Sequence, residues 1–216
     1  MIKRTFDFVA AMLGLLLLWP LMLVLGLLVK IDSEGPILFR QERVGRRFRP
    51  FRILKFRTMV HTPSAPGRPI TCGHDARITR VGGVMRRLKL DELPQLINVL
   101  KGEMSLVGPR PEVPRYVEMF RRDYEAILEV SPGVTDLASI SYRDESRMLG
   151  DFADPEMEYV QRILPDKIRL AKLYVRHSGI LYDLQLILRT LLALVHQSGW
   201  STVKKRRPAD GASPLR

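Results

Sequence analysis

The sequence predicts a membrane-associated α/β fold, mostly helical with few short strands. An N-terminal membrane helix is expected at its base, with amphipathic helices at the interface. Three observations point there. Phe8 to Val29 is a run of 22 residues without a charge. Apolar residues recur at helical spacing in several later stretches. Only two short segments, Ile37–Gln41 and Phe51–Met59, read as extended, and no GxGxxG strand–turn–helix signature announces a long parallel sheet.

The chain has 216 residues, enough for one domain with a proper core and attached helices. It divides at 1–30 (membrane helix), 31–200 (catalytic-size domain) and 201–216 (basic tail). Lys+Arg is 35 against 23 Asp+Glu, a formal net charge of +12. That surplus suits a polyanionic partner: nucleic acid, an anionic membrane surface or phosphorylated ligands. The single cysteine, Cys72, forms neither an internal disulfide nor a zinc cluster. The histidines His61, His74, His177 and His196 are scattered without an HExxH pair, so zinc hydrolysis and Ser-His-Asp catalysis find no support.

The charge-free run would cover about 33 Å as a straight helix, the hydrocarbon thickness of a bilayer. It is too long for a signal-peptide core and no small-x-small cleavage site follows. Two topologies stay open. One is a plain span. The other is a re-entrant helix broken at Pro20, where the ring removes the bond to the Leu16 carbonyl. Lys3 and Arg4 precede the run and Lys30 with a very basic stretch follows it, so there is no inside–outside charge bias.

Gly35-Pro36 reads as a turn leading into the two extended segments. Arg40, Arg43, Arg46, Arg47, Arg49 and Arg52 form a basic face suited to anionic lipid, at about 1 kcal/mol per residue near the surface. Lys55 differs: it sits in the apolar-flanked KFRTM and is the better candidate for a substrate contact. Residues 61–74 are rich in proline and glycine and are expected to form a mobile loop. Val113 to Val130 carries an amphipathic helix pattern, ended by Ser131-Pro132-Gly133. Asp154-Pro155 is expected to open a helix, restarted at Pro165. Residues 181–197 are apolar on one face yet hold Asp183, Gln185 and Arg189, which suits an interfacial or core helix. That helix can pack on lipid, its own domain or a second subunit, so a homodimer is open. KKRRP, residues 204–208, reads as a basic end.

Chemistry concentrates in LDELPQLINVLKGEMSLVGPRPE, residues 90–112. Leu93, Leu96, Ile97 and Leu100 have helical spacing, with Lys101-Gly102 as the stop. Pro94 is tolerated only in a first turn, which places the helix start near Asp91. Asp91 and Glu92 then sit at the positive end of the helix dipole. Alone, the pair could be no more than an N-cap and its neighbour. Arg86, Lys55, Arg110 and Arg143 change the balance, each in an apolar-flanked or proline-bounded context. A carboxylate can attack phosphorus to form an acyl-phosphate. The phosphate charge must then be neutralised, by Mg²⁺ on carboxylate oxygens and by arginine donors. No Walker A sequence is present.

These motifs resemble the monotopic phosphoglycosyl transferases, the bacterial sugar transferases that begin polyprenyl-linked glycan assembly. The likeness runs through KRTFDFVAA, FRQERVGRRFRPFRILKFRTM, LDELPQLINVLKGEMSLVGPRPE, PGVTDLASISYRDE and LYDL. It implies transfer of a sugar-1-phosphate from a nucleotide sugar, usually a UDP-sugar, to polyprenyl phosphate. It also supplies part of the weight behind the fold class, since the strand signals are weak by themselves. It implies Asp91 as the nucleophile, forming a phosphosugar–aspartyl enzyme, with Glu92 beside it holding Mg²⁺. Arg110, Arg86, Lys55 and Arg143 would bind phosphates or the nucleotide. Asp183 falls on a family acidic position, its role open between structure and chemistry. The apolar segment would be the family's re-entrant helix, and the protein would sit on the cytoplasmic face of the bacterial inner membrane.

There are departures. Trp19-Pro20 stands where some members have Ser-Pro, Asp136-Leu137 where some have Gly-Trp, and Ala171 where some have an acid. The chain lacks the extra transmembrane helices of the long members, so a minimal catalytic unit is expected. The competing class is a membrane-tethered binding protein for nucleic acid or anionic lipid. Nucleic acid is disfavoured, because the basic stretches lack interleaved aromatic stacking surfaces.

Overall fold

The computed structural model describes residues 2–60, 71–73 and 75–195. Its first element, α1, runs from Ile2 to Asp32 as one helix of 31 residues, about 46 Å long. The expected break at Pro20 is corrected: the helix continues through it. Proline's φ is already helical, and only the rung to Leu16 is lost. Of all the described helices, α1 alone is long and apolar enough to cross a membrane. Its outward face leaves Leu13, Leu16, Leu17, Leu23 and Leu27 exposed.

The rest of the chain holds α1 at both ends. Near its start, Lys3 bonds Asp183, Asp7 accepts from the Ser105 hydroxyl (2.8 Å) and the Leu106 amide (3.2 Å), and Ala11 is wholly buried. Near its end, Leu25 and Val29 pack against Phe56 and Met85. The Arg57 guanidinium donates to the carbonyls of Val29 (3.2 Å), Ser33 (2.6 Å) and Glu34 (2.5 Å). Val29 lies in the last turn of α1, and Ser33 and Glu34 follow directly after it, so one guanidinium ties the helix end to the chain that leaves it.

Two short extended segments follow, as expected. β1 (Leu38–Val44) and β2 (Pro50–Phe56) form an antiparallel hairpin, with Arg40 opposite Leu54. β2's outer edge is not left open. The buried carboxamide of Asn98 accepts from the Leu54 amide (3.0 Å) and donates to the Arg52 carbonyl (2.9 Å). Its helix, α3 (Gln95–Lys101), is thereby fixed to the sheet edge and ends at Gly102, whose φ of 83° is the left-handed stop that glycine adopts freely. Arg4 caps the same end, donating to the Val99 and Leu100 carbonyls. α2 (Arg80–Arg87) precedes this region and starts on a Thr79 side-chain cap.

A second, parallel pair consists of β3 (Ser105–Val107) and β4 (Gly133–Thr135). The single helix expected over 113–130 is instead two, α4 (Pro114–Met119) and α5 (Arg121–Ile127), joined at Phe120. Val113, Val117, Tyr124 and Leu128 are all buried, so the pattern marked the core face while the kink escaped it. Next come α6 (Leu137–Ser141), α7 (Glu145–Leu149) and α8 (Pro155–Glu158), the last capped by Asp154. A π-helical turn, Tyr159–Ile163, passes into α9 (Leu164–His177), which restarts with Pro165 in its first turn. α10 (Ile180–Val195) closes the described chain. The expected loop 61–74 lies outside the described residues except for 71–73, and the expected tail 201–216 lies wholly outside them.

Asn98→Ala is expected to lower thermal stability by about 1–3 kcal/mol, because a strand amide and carbonyl lose their buried partners. An unfolding temperature in detergent equal to that of the wild type would refute the edge-closing role.

Candidate active site

Asp91 and Glu92 lie in a 3-10 turn, Leu90–Glu92, that ends before α3 begins. The helix expected to start near Asp91 starts instead at Gln95, with Pro94 at its N-cap, so the two acids lie one turn ahead of it. The two carboxylates are treated oppositely. Glu92 is clamped: Oε1 accepts from Lys55 Nζ (2.8 Å) and Arg110 Nη2 (2.6 Å), and Oε2 faces Arg110 Nη1 at 3.4 Å. Asp91 is 7% exposed and its Oδ1 has no hydrogen-bond partner at all.

The electrostatics follow that division. Burial by itself would raise the Glu92 carboxyl, but Arg110 and Lys55 overcome it and hold it well below the usual range. Burial is the largest influence on Asp91 and raises it, with the neighbouring Glu92 charge adding to the rise; Lys55, Lys89 and Arg86 oppose. The Arg110 guanidinium is raised, chiefly by Glu92. Burial lowers Lys55, against the pull of Glu92.

Each cation comes from a different element. Lys55 is the penultimate residue of β2. Arg86, in the last turn of α2, donates Nε to the Thr58 hydroxyl (2.8 Å). Arg110 follows β3, where Gly108 and Gly133 approach so closely that a Cβ on either would strike the other strand's backbone. The Arg110 amide donates to Asp136 Oδ2 (3.1 Å), while Asp136 Oδ1 caps α6 at the Ser139 amide (2.7 Å). Proline on both sides and a carboxylate on its amide set Arg110 in place.

Lys55, Arg86 and Arg110, singled out by their apolar-flanked or proline-bounded settings, thus lie around the acid pair. Arg143 does not join them by any bond: it is half-buried beyond α6 and makes no hydrogen bond or ion pair among the described residues. Asp183 is 1% exposed and bonds Tyr174 (2.7 Å) and Lys3, tying α10, α9 and α1 together. Sequence reasoning overlooked two residues. Asp136 was noted only as a departure, though an Asp before a helix is an ordinary capping signal. Lys89 immediately precedes the acid-pair turn, and nothing in its type marked it out. Ala171, another of the departures, lines a small cavity with Arg110, Asp136 and Lys167.

Asp91 and Glu92 are also the candidate Mg²⁺ ligands. No cluster of three metal-ligating side chains exists among the described residues. Mg²⁺, however, takes one or two carboxylates and fills its other positions with water and substrate phosphate. The orphaned Oδ1 of Asp91 is an oxygen such an ion could use, so the residues fit it.

A free buried carboxylate, its clamped neighbour and converging cations form a positively charged site in the domain that grips the apolar helix α1. The chain belongs to the bacterial sugar transferase family, whose model matches residues 1–197. It is 36% identical over 197 residues to a UDP-N-acetylgalactosamine–undecaprenyl-phosphate N-acetylgalactosaminephosphotransferase of Aeromonas hydrophila, covering 90% of this chain and 44% of the relative. It is 39% identical over 196 residues to a UDP-glucose:undecaprenyl-phosphate glucose-1-phosphate transferase of Caulobacter vibrioides, covering 89% and 69%. With an exopolysaccharide production protein of Sinorhizobium fredii it shares 35% over 212 residues, covering 91% and 87%. The chain thus spans less than half of the Aeromonas relative and most of the other two.

Glu92→Gln leaves Lys55 and Arg110 without a counter-charge. We expect a loss of roughly 2–3 kcal/mol, less than a fully buried pair because Arg110 keeps 29% of its side chain exposed. Glu92 is depressed in the fold, so its contribution is present above its ordinary pKa of 4.5 and fades as pH falls through the folded value. The gap between the unfolding temperatures of wild type and variant should begin to narrow as pH falls below about 4.3; a gap constant through acid pH would contradict the assignment.

Proposed function

We propose that this protein transfers a sugar-1-phosphate from a nucleotide sugar, of the UDP class, to polyprenyl phosphate at the cytoplasmic face of the bacterial inner membrane. The observation that carries the reading is the unequal acid pair: a buried, unbonded Asp91 beside a fully engaged Glu92. The relatives' names supply the substrate classes, a UDP-sugar and undecaprenyl phosphate.

In the first displacement, an Asp91 oxygen attacks the sugar-proximal phosphorus. The bond from that phosphorus to the bridging oxygen breaks, and the nucleoside monophosphate leaves with the electron pair. In the second, a lipid phosphate oxygen attacks the same phosphorus and Asp91 departs, giving polyprenyl-diphospho-sugar. Splitting the transfer in this way lets one pocket serve both substrates in turn. Arg110 and Lys55 keep N–H donors beyond those given to Glu92, and these meet the phosphate oxygens, with Arg86 and Arg143 as further cations. Glu92, held ionised, keeps both cations aimed at the pocket. Mg²⁺, held by Asp91 and Glu92, would neutralise phosphate charge.

The membrane arrangement is monotopic: α1 lies in one leaflet and both its ends stay on the cytoplasmic side. What supports this is the grip at both ends. Lys3, Arg4 and Asp7 at one end and Leu25 to Asp32 at the other all contact the same domain, which a helix crossing the bilayer end to end could not do. The exposed leucines of α10, Leu181, Leu184, Leu188, Leu191 and Leu192, add an interfacial helix, and the exposed Arg40 of β1 and Arg52 of β2 meet anionic lipid. Arg43, expected on the same face, is instead turned inward to Glu112 and the Pro111 carbonyl.

Asp91→Asn should abolish nucleoside monophosphate release from a UDP-sugar with polyprenyl phosphate, by at least about 10³-fold, while membrane attachment persists. Wild-type enzyme given UDP-sugars without acceptor should carry a phosphosugar mass on Asp91; full turnover by the variant would refute the nucleophile. For topology, cysteines at Ile2 and Glu34 in a Cys72→Ser background should react with an impermeant reagent from the same side. Labelling from opposite sides would leave a plain span.

A further inference from the structure

Lys89 is the residue of the acid-pair region whose backbone is strained. Its φ of 57° and ψ of 21° are left-handed, a conformation in which a Cβ crowds the neighbouring carbonyl and glycine is the ordinary occupant. The other non-glycine residues with positive φ among those described are Arg47 and Phe48, in the β1–β2 connection. Those two reverse the chain within a hairpin. Lys89 joins α2 to the acid turn, where a glycine would relieve the strain. Such strain persists where the surroundings over-determine it, and it concentrates at functional sites.

The side chain is half-buried, and its amine makes no hydrogen bond or ion pair with any described residue. Its neighbours are otherwise engaged: Lys55 and Arg110 share Glu92, and Arg86 holds Thr58. Lys89 nonetheless stands two residues before Asp91, as the residue that leads into the acid turn, within electrostatic range of Glu92, Arg110 and Asp91. Four cations, Lys55, Arg86, Lys89 and Arg110, surround two carboxylates, an excess of two positive charges. A phosphate bears a charge of about −1.5 to −2 near neutral pH.

We propose that Lys89 is a phosphate-binding residue of the active site, its left-handed backbone retained because it brings an unpartnered amine beside Asp91 to meet a substrate phosphate. This rests on the transferase reading above. Two phosphates share the required chemistry, the diphosphate of the donor and the monoester of the lipid acceptor, and the test separates them.

Wild type, Lys89→Gly and Lys89→Arg are compared in detergent, by thermal-shift titration with UDP and with a short-chain polyprenyl phosphate, and by KM for each substrate. Lys89→Gly should weaken one of the two by about tenfold, the loss of one charge-assisted hydrogen bond. Its kcat should change less than its KM, and its unliganded unfolding temperature should not fall, since glycine suits that backbone. Lys89→Arg should restore most of the affinity. A loss toward UDP assigns Lys89 to the donor, and a loss toward the lipid phosphate assigns it to the acceptor. Unchanged binding of both, or a lowered unfolding temperature without rescue by arginine, overturns the proposal. Wild-type protein that binds UDP yet releases no nucleoside monophosphate would sink the transferase reading while leaving the binding test of Lys89 intact.

Discussion

The site depends on one shared carboxylate. Glu92 accepts from Lys55 on β2 and from Arg110 after β3, so a single side chain joins the hairpin, the acid turn and the proline-framed loop. Burying an ion pair is costly unless its hydrogen bonds are completed, and here two cations complete one anion. The arrangement also separates the duties of adjacent acids. Because Glu92 absorbs both cations, Asp91 is left buried and unbonded, and its Oδ1 stays available to a ligand.

Positioning reaches outward from this clamp. Asp136 holds the Arg110 amide with one oxygen and caps α6 with the other. The close contact of Gly108 with Gly133 brings β4 against the same loop. Tyr174 then bonds both the Val107 carbonyl and Asp183, and Asp183 bonds Lys3 at the start of α1. A continuous set of buried polar contacts therefore runs from the membrane helix to the loop that carries Arg110. Such networks fix geometry because each unsatisfied member would be expensive.

Much of this was legible in the residues. The uncharged run, the hairpin segments, the Gly102 stop, the Asp154-Pro155 start and the Pro165 restart all follow from local chemistry, and the structure has each of them. Local rules failed where tertiary contacts outweighed them. Pro20 reads as a break, but a proline removes one rung and the domain grips α1 on either side of it. Residues 113–130 read as one helix because both halves bury the same face; periodicity carries no information about the kink at Phe120. The acid turn is set apart from α2 because Lys89 takes a left-handed conformation, which no propensity assigns to lysine.

The sequence by itself determined which residues could do the chemistry. Asp91, Glu92, Lys55, Arg86 and Arg110 stood out because charged groups in apolar or proline-bounded settings are kept for a purpose, and the spacing of LDELPQL and GPRP is specific. Only the tertiary structure decided how they divide the work. It bound Glu92 and left Asp91 free, made Asp183 a tie to α1, left Arg143 without a bond to the acid pair, and brought Lys89 into the ring. The physical reason is that burial and pairing set the state of a charge, and both depend on segments distant in the chain that only the fold brings together.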